Sequence, residues 1–224
     1  MIKGRIAEVF DSVQGEGLYL GEKQIFVRFF GCNLNCRFCD TKMNSFLEYD
    51  PEELFNELKM YRRDYHSVSF TGGEPLLQKD FLKEVLKLTY KDNFRNYLDT
   101  NGTLPEALKD VIEYIHIIAM DFKLPSSTGL NSFWDEHRLF LKIASKKEVF
   151  IKTVICESTK EEDLIDGLRL ISEVAKYSIL ILQPDSEANS AVLEKKIESF
   201  KEICKREAIA TCVIPQVHKI VGVK

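Results

Sequence analysis

Short apolar runs rich in Val, Ile and Phe alternate with amphipathic segments along this 224-residue chain. Runs of this length and composition are typical of strands that are buried on both faces of a sheet. The pattern predicts seven such strands, at residues 25–30, 67–70, 96–99, 115–120, 149–155, 178–182 and 210–214.

Segments in which apolar residues recur three or four positions apart lie between the predicted strands. The sequence Asp50-Pro51-Glu52-Glu53 is typical of a helix start, with an N-cap, a proline in the first position and the glutamate of a capping box. A second box of this kind, Ser158-Thr159-Lys160-Glu161, precedes another amphipathic segment. Further helices are predicted at residues 79–89, 105–114, 132–145 and 191–207.

This order of elements implies parallel strands joined by right-handed crossovers. Two architectures fit it, a doubly wound open sheet and a barrel. Polar or glycine-rich residues follow six of the predicted strands, and an α/β barrel builds its active site from such loops. An open sheet would use mainly the loops beside one switch point. We therefore predict one α/β domain over residues 1–224, an incomplete TIM-like barrel of about six parallel strands with crossover helices.

Composition narrows the class of protein. The formal charge is −4, with 29% charged and 45% hydrophobic residues, which is typical of a globular chain. A mildly acidic balance argues against a nucleic-acid partner. The longest apolar runs are far shorter than the ~18 residues of a membrane span. The charged segment 1–10 does not resemble a secretory signal. We expect a cytoplasmic protein with no nucleic-acid or membrane partner.

Three of the six cysteines fall within eight residues, as Cys32, Cys36 and Cys39. In a cytosolic chain such a cluster indicates metal or redox chemistry rather than disulfides. Three thiolates can hold three irons of a [4Fe–4S] cluster and leave the fourth iron open. A structural zinc site is the alternative, but it needs a fourth ligand, and the nearest histidine is His66. The remaining cysteines, expected to be buried and inert, are Cys156, Cys204 and Cys212.

The Cys-x3-Cys-x2-Cys spacing, with the aromatic Phe38 before the third cysteine, resembles the radical S-adenosylmethionine superfamily. The sequence Gly72-Gly73-Glu74-Pro75 after the second predicted strand is similar to that superfamily's second motif. The resemblance implies that S-adenosylmethionine binds the open iron and yields a 5′-deoxyadenosyl radical. The Gly73 backbone would approach the methionine end closely, since it carries no side chain.

A finer resemblance, to the 7-carboxy-7-deazaguanine synthase family, extends over nearly the whole chain. It rests on residues 10–17, Arg28, the sequence Cys39-Asp40-Thr41-Lys42, residues 99–102 and residues 215–219. It implies conversion of 6-carboxy-5,6,7,8-tetrahydropterin to 7-carboxy-7-deazaguanine with loss of ammonia, on the route to queuosine and other deazapurines. A partial barrel, a homodimer and a flavodoxin- or ferredoxin-like reductant are the further expectations.

The same resemblance implies the site residues, none of which is catalytic in itself because the cofactor supplies the radical. Thr41 would bind Mg²⁺; from its position alone it could equally be a helix cap. Many relatives carry Ser-Pro-Lys where this chain has residues 121–123. The expected substrate ligands are Val13, Gln14, Gly15, Glu16, Arg28, Thr71, His218 and the carboxylate of Lys224. The S-adenosylmethionine site would comprise Phe38, Cys39, Asp40, Gly73, Glu74, Asp121, Phe122, Lys123, Gln183, Pro184, Asp185 and Ser186.

Two alternatives remain open from the sequence. A glycyl-radical-enzyme activase has the same cysteine spacing on a small chain, although residues 14–17 and 216–219 are typical of the deazaguanine enzymes. The second alternative is a zinc-binding interaction domain without enzymatic activity. For Arg28, a structural ion pair is the alternative to binding of the substrate carboxylate.

Overall fold

The computed structural model describes residues 2–41, 43–61, 64–186, 188, 191–217, 219 and 222. The strands in these residues are β1 (Gly4–Val13), β2 (Lys23–Phe29), β3 (Leu47–Tyr49), β4 (Ser67–Gly72), β5 (Asn96–Thr100), β6 (Ile117–Asp121), β7 (Glu148–Ile155), β8 (Leu180–Pro184) and β9 (Thr211–Val213). The α-helices are α1 (Pro51–Met60), α2 (Lys79–Lys91), α3 (Pro105–Val111), α4 (Pro125–Thr128), α5 (Trp134–Ala144), α6 (Glu161–Val174) and α7 (Ala191–Arg206). Short 3-10 helices follow β4 and α3, at Pro75–Gln78 and Ile112–Tyr114.

The strands form one sheet in the order β3-β1-β2-β4-β5-β6-β7-β8-β9. From β2 onward, neighbouring strands are parallel and follow chain order, with helices in the crossovers. Among the described residues no pairing joins β9 to β3, so the ring is open. The predicted incomplete barrel is confirmed, with seven parallel strands where the sequence indicated about six. None of the helices described has both the length and the apolar character needed to cross a membrane.

Two strands, β1 and β3, were missed by the sequence analysis. β1 pairs antiparallel with both β2 and β3 at one edge of the sheet. Eight of its ten residues are partly buried or exposed, and polar side chains such as Glu8 and Asp11 interrupt its apolar ones. An edge strand covered on one face lacks the continuous apolar run by which the buried strands were recognised.

The two predicted capping boxes had different outcomes. At α1 the prediction is confirmed, because Asp50 accepts from the Glu53 amide and Glu53 accepts from the Asp50 amide, both at 2.9 Å. At α6 the prediction is wrong, because Lys160 occupies the N-cap without a side-chain hydrogen bond. Ser158 instead donates to the carbonyl of Ser126 at 2.9 Å, so its hydroxyl joins two loops rather than capping the helix.

Hydrophobic side chains form a large cluster between the sheet and the helices and a small one inside the barrel. The inner cluster includes Tyr97 on β5, Phe150 on β7 and Ile181 on β8. Side chains two positions along a strand share a face. The inner face therefore changes from apolar to polar toward the carboxyl ends of the strands, where the next inward side chains are Asp99, Lys152 and Gln183.

The loop between β1 and β2, residues 14–22, folds against this inner cluster. Gln14 closes it with backbone hydrogen bonds of 2.8 Å to Glu22 and Gly21. Gly17 adopts a φ of +72°, and a Cβ there would lie 2.8 Å from the Phe150 ring. Tyr19 packs edge-on against Tyr97, with ring centroids 6.1 Å apart. The loop therefore packs on the apolar layer and brings Glu16 within 2.7 Å of Lys152 in the polar layer.

Candidate active site

A cavity of about 660 Å³ opens at the carboxyl ends of the parallel strands. It brings the cysteine loop together with residues that follow five different strands, as expected for an α/β barrel. The predicted site residues that line it are Val13, Gln14, Gly15, Glu16, Arg28, Cys32, Cys36, Phe38, Cys39, Asp40, Thr41, Thr71, Gly73, Asp121, Lys123, Gln183 and Asp185. Of the other predicted residues, Glu74, Phe122, Pro184 and Ser186 do not line the cavity, and His218 and Lys224 lie outside the described residues.

The cysteine loop begins where β2 ends and is fixed there by the Gly73 segment. The Gly73 amide donates to the Phe29 carbonyl at 3.0 Å, and the Glu74 amide donates to the Gly31 carbonyl at 2.9 Å. A Cβ at Gly73 would lie 1.9 Å from the Gly31 oxygen and 3.0 Å from the Cys32 nitrogen. Glycine is therefore required for the contact between two loops, whatever approaches from the cavity.

Glu74 is fully buried beneath this contact. Its carboxylate accepts from the amides of Leu76 at 3.0 Å and Asn101 at 2.8 Å, and from the Thr100 hydroxyl at 2.9 Å. Burial raises its pKa to about 7, although these donors oppose the shift. The side chain joins the loops after β4 and β5, so the structure places it behind the cavity wall, where it positions the turn at Asn101.

The three thiols of the loop suit a multi-iron cluster better than a single ion. All three are free and line the cavity. Among the described residues, no three His, Cys, Asp or Glu side chains converge closely enough to hold one metal ion. A closed zinc site would need four such ligands, whereas a [4Fe–4S] cluster accepts three cysteines of one loop. Burial raises the pKa of Cys36 to about 11, and the neighbouring Lys123 opposes that shift.

Comparison with known proteins agrees with this site. The model of the radical SAM superfamily matches residues 26–184. The 7-carboxy-7-deazaguanine synthase of Geobacter sulfurreducens is 35% identical over 97% of this chain and 96% of its own length. That of Archaeoglobus fulgidus is 31% identical over the full length of both chains. This chain belongs to the 7-carboxy-7-deazaguanine synthase family of radical SAM enzymes.

The fold of this family member is also that of a solved structure, QueE from Escherichia coli. The two superpose with a TM-score of 0.65 over 95% of this chain and 94% of the other, at 20% sequence identity. Membership of the radical SAM superfamily implies a [4Fe–4S] cluster and S-adenosylmethionine. It also excludes the zinc-binding domain, whereas the activase, which belongs to the same superfamily, is excluded by the match to the 7-carboxy-7-deazaguanine synthases over nearly the whole chain.

Arg28 of this radical SAM enzyme already has an acidic partner in the cavity wall. Its Nε lies 2.7 Å from a carboxylate oxygen of Glu8, and both side chains are largely buried. The guanidinium carbon lies 5.6 Å from the centre of the Phe10 ring, which stacks on Phe26 at 5.1 Å. The structural ion pair considered from the sequence therefore exists, and it fixes the guanidinium at the edge of an aromatic wall.

Lys152 links two carboxylates at the polar layer of the barrel. Its Nζ lies 2.7 Å from Glu16 and 3.2 Å from Asp99, and its side chain is 8% exposed. Burial alone would lower the pKa of this lysine, but Asp99 and Glu16 raise it well above its usual value, so the ammonium stays charged. Thr71 donates to Asp99 at 3.5 Å. A network from three strands and the 14–22 loop thus fixes Glu16.

Sequence reasoning did not select Lys152 or Glu8 as site residues. A signal for Lys152 existed, because a lysine inside a strand predicted to be buried on both faces needs a carboxylate partner. Glu8 lies on β1, which was not recognised as a strand, so its position beside Arg28 could not be inferred. Asp99 was noted only as part of a turn motif, and the structure adds it to the cavity lining.

The side chains of the Asp121–Lys123 segment point in two directions, into the cavity and into the core. Lys123 lies 2.7 Å from Asp121, and its Nζ lies 5.3 Å from the centre of the Phe38 ring. Burial lowers the pKa of Lys123, but the Asp121 and Cys36 charges outweigh it and the net shift is upward. Phe122 points the other way and stacks on His137, with ring centroids 4.8 Å apart. Only the two charged residues can contact a ligand through their side chains.

The C-terminal segment crosses the cavity mouth. The Gln216 side chain donates to Glu16 at 2.8 Å, and the Val217 amide donates to the Gly15 carbonyl at 3.0 Å. Lys219 pairs with Asp40 at 2.7 Å. Burial raises the pKa of Asp40, but the Lys219 partner outweighs it and the net shift is downward. The segment therefore connects the substrate side of the cavity to the residue that follows Cys39.

Of the three cysteines outside the loop, two are buried as predicted and one is only partly buried. Cys156 and Cys204 are buried and Cys212 is partly buried, and all three are free thiols. Burial raises the pKa of each, that of Cys156 to about 12. Neutral, buried thiols of this kind are poor nucleophiles and poor metal ligands.

Proposed function

We propose that this enzyme converts 6-carboxy-5,6,7,8-tetrahydropterin to 7-carboxy-7-deazaguanine with release of ammonia, on the route to queuosine and other 7-deazapurines. The observation that supports it is one cavity lined both by the three free thiols and by Arg28 and Glu16. A guanidinium matches the planar geometry of a carboxylate, and a carboxylate accepts from ring N–H groups. A pterin acid offers both.

In this proposal the chain binds and orients the pterin. Arg28 holds the C6 carboxylate, and Glu16 accepts from the ring. The Gln14 side chain supports Glu16, because its oxygen accepts from the Glu16 amide at 3.1 Å while its nitrogen donates to Gln24 at 2.9 Å. Val13, Gly15, Thr71, His218 and the Lys224 carboxylate complete the predicted substrate site.

Cys32, Cys36 and Cys39 would hold the cluster, and with S-adenosylmethionine it would supply the radical chemistry at C6 of the pterin. The residues proposed to hold S-adenosylmethionine through side chain or backbone are Phe38, Cys39, Asp40, Gly73, Asp121, Lys123, Gln183 and Asp185. Glu74, Phe122, Pro184 and Ser186, which do not line the cavity, act in this proposal by positioning their neighbours.

A third cofactor in the proposal is Mg²⁺, held by the Thr41 hydroxyl, water and the substrate carboxylate. Thr41 precedes no helix among the described residues, so it is not a helix cap, and its hydroxyl lies 3.2 Å from Asp40. Thr41→Ala should abolish the stimulation of turnover by Mg²⁺. Ser45→Ala removes a hydroxyl that lines the same cavity and should keep the stimulation.

The decisive experiment is anaerobic turnover with reconstituted cluster, S-adenosylmethionine, dithionite and the pterin acid. We expect 7-carboxy-7-deazaguanine and ammonia in equal amounts. Arg28→Met should lose product while it still cleaves S-adenosylmethionine slowly without a pterin. An intact cluster that cleaves S-adenosylmethionine but gives no product from this pterin would contradict the substrate assignment.

The remaining parts of the proposal concern partners and organisation. Cys32 and Cys39 are exposed, which suits electron delivery by a flavodoxin- or ferredoxin-like protein. The exposed apolar side chains of Leu18 and Leu20 suit a homodimer interface. We further propose a single domain over residues 1–224 in the cytoplasm. Reduction of the cluster by purified flavodoxin or ferredoxin tests the proposed electron donor. Mass measurement in solution tests the proposed homodimer.

A further inference from the structure

Three neutral side chains form a closed hydrogen-bonded ring beside Cys32. The Asn101 amide nitrogen donates to the Asn33 oxygen at 2.9 Å, and the Asn33 nitrogen donates to the Thr103 hydroxyl at 2.8 Å. That hydroxyl in turn donates to the Asn101 oxygen at 2.6 Å. The ring joins the cysteine loop to the turn after β5.

The ring determines which way the Asn101 amide faces. Its oxygen accepts from both the amide and the hydroxyl of Thr103, at 3.0 and 2.6 Å, so this end is occupied by donors. The nitrogen must then face the cysteine loop, where it lies 3.9 Å from the sulfur of Cys32. The hydrogen-bond partners therefore determine which end of the Asn101 side-chain amide is the donor and which is the acceptor.

The Asn101 backbone is fixed as firmly as its side chain. Its amide donates to the buried Glu74 carboxylate at 2.8 Å, and its carbonyl accepts from the ring of the buried His137 at 3.1 Å. Asn101 itself is 5% exposed. A residue with three side-chain and two backbone hydrogen bonds has little freedom to turn away when the loop binds its cluster.

We propose that Asn101 is a positioning residue that donates an N–H···S hydrogen bond to the Cys32 thiolate in the cluster-loaded enzyme and raises the reduction potential of the cluster. A donor at a ligating sulfur stabilises the reduced, more negative state, and such bonds are one of the ways a protein sets cluster potentials. The inference rests on the cluster that the superfamily implies and not on the identity of the substrate.

The test is a redox titration of the anaerobically reconstituted Asn101→Asp enzyme, followed by the electron paramagnetic resonance of the reduced cluster. We expect a lower midpoint potential at unchanged iron and sulfide content, together with a shifted Fe–S(Cys) stretch in the resonance Raman spectrum. Asn35→Asp is the matched control, because Asn35 is exposed in the same loop and receives the same charge. Equal potentials and spectra in the two variants would overturn the proposal.

A second variant covers the case in which Asn101→Asp does not take up a cluster. Thr103→Val leaves Asn101 in place but removes the hydroxyl that closes the ring, without adding a charge. We expect a smaller downward shift of the potential and the same direction of change in the Raman band. An unchanged potential in Thr103→Val would then reject the inference. Both titrations omit the pterin, so they succeed or fail independently of the proposed substrate.

Discussion

Two parts of the cavity wall differ in the interactions that hold their residues in place. The cysteine-side network combines close backbone packing at Gly73 with the hydrogen-bonded ring of neutral side chains, and comprises Asn33, Gly73, Asn101 and Thr103. The charged wall uses buried ion pairs and comprises Glu8, Glu16, Arg28, Asp99 and Lys152. A cluster needs its cysteine sulfurs in fixed places, which glycine packing and neutral hydrogen bonds provide, whereas a charged pterin acid needs charges fixed in advance.

The cysteine-side network and the charged wall also differ in the free energy lost when one interacting side chain is removed. A neutral hydrogen bond contributes about 1 kcal/mol net. Removing one partner of a buried ion pair costs about 3–5 kcal/mol, because the other charge is left uncompensated. Substitutions in the charged wall should therefore mainly lower the stability of the fold. Substitutions in the cysteine-side network should mainly change the geometry and the electronic properties of the cluster site.

Gly73→Ala should have the largest effect on activity. The new methyl group would lie 1.9 Å from the Gly31 oxygen, and the atoms that would have to give way belong to the backbone of the cysteine loop. We expect the cysteine loop to shift and S-adenosylmethionine cleavage to fall by roughly 10²-fold or more. Iron content and cleavage rate measure this. Gly167→Ala is the control, since its nearest neighbour would be 3.5 Å away. A normal iron content with normal cleavage in Gly73→Ala would show that the two loops adjust.

Lys152→Met should have the largest effect on stability. Two carboxylates, Glu16 and Asp99, would lose their common partner inside the barrel. We expect the free energy of unfolding of the apoprotein to fall by about 3–5 kcal/mol in urea denaturation. Lys109→Met breaks an exposed pair with Glu106 and should change little. If Lys152→Met unfolds at the wild-type urea concentration, then the network does not stabilise the barrel.

Glu8→Gln should have a moderate effect on substrate binding. Glu8 holds the Nε of Arg28, so without its charge the guanidinium is less well oriented. We expect the KM for the pterin acid to rise about tenfold, equivalent to about 1.4 kcal/mol, with S-adenosylmethionine cleavage in the absence of pterin unchanged. Glu48→Gln, on the exposed strand β3, is the matched control. A lower KM would show instead that Glu8 competes with the substrate for Arg28.

The sequence predicted the fold well because the parallel strands are buried on both faces and follow one another in order. It predicted the cysteine loop because the spacing of the ligands is local. The charged wall was harder, since the partners of Arg28 and Lys152 come from distant segments and no local pattern pairs them. The ring at Asn101 was missed for the same reason, as it joins residues 33 and 101 across two loops. For Gly73 the position was predicted, but its tightest contact is with Gly31, which only the structure shows.

Acid should have the smallest of these effects on activity. It should lower the stability of the fold through a residue that lies behind the cysteine-side network. His137 is fully buried behind Asn101, and burial lowers its pKa from 6.5 to about 4, with a smaller contribution from Lys123. Between these values the unfolded chain binds a proton that the folded chain does not, so stability falls as the pH falls. From pH 7 to pH 5 the loss in the free energy of unfolding attributable to this residue is about 2 kcal/mol.

His137→Phe keeps a ring against Phe122 and should lack this part of the loss when urea unfolding is measured at both pH values. A pH dependence identical to that of the wild type would mean that acid acts elsewhere, and the buried carboxylates of the charged wall would then be the groups to examine.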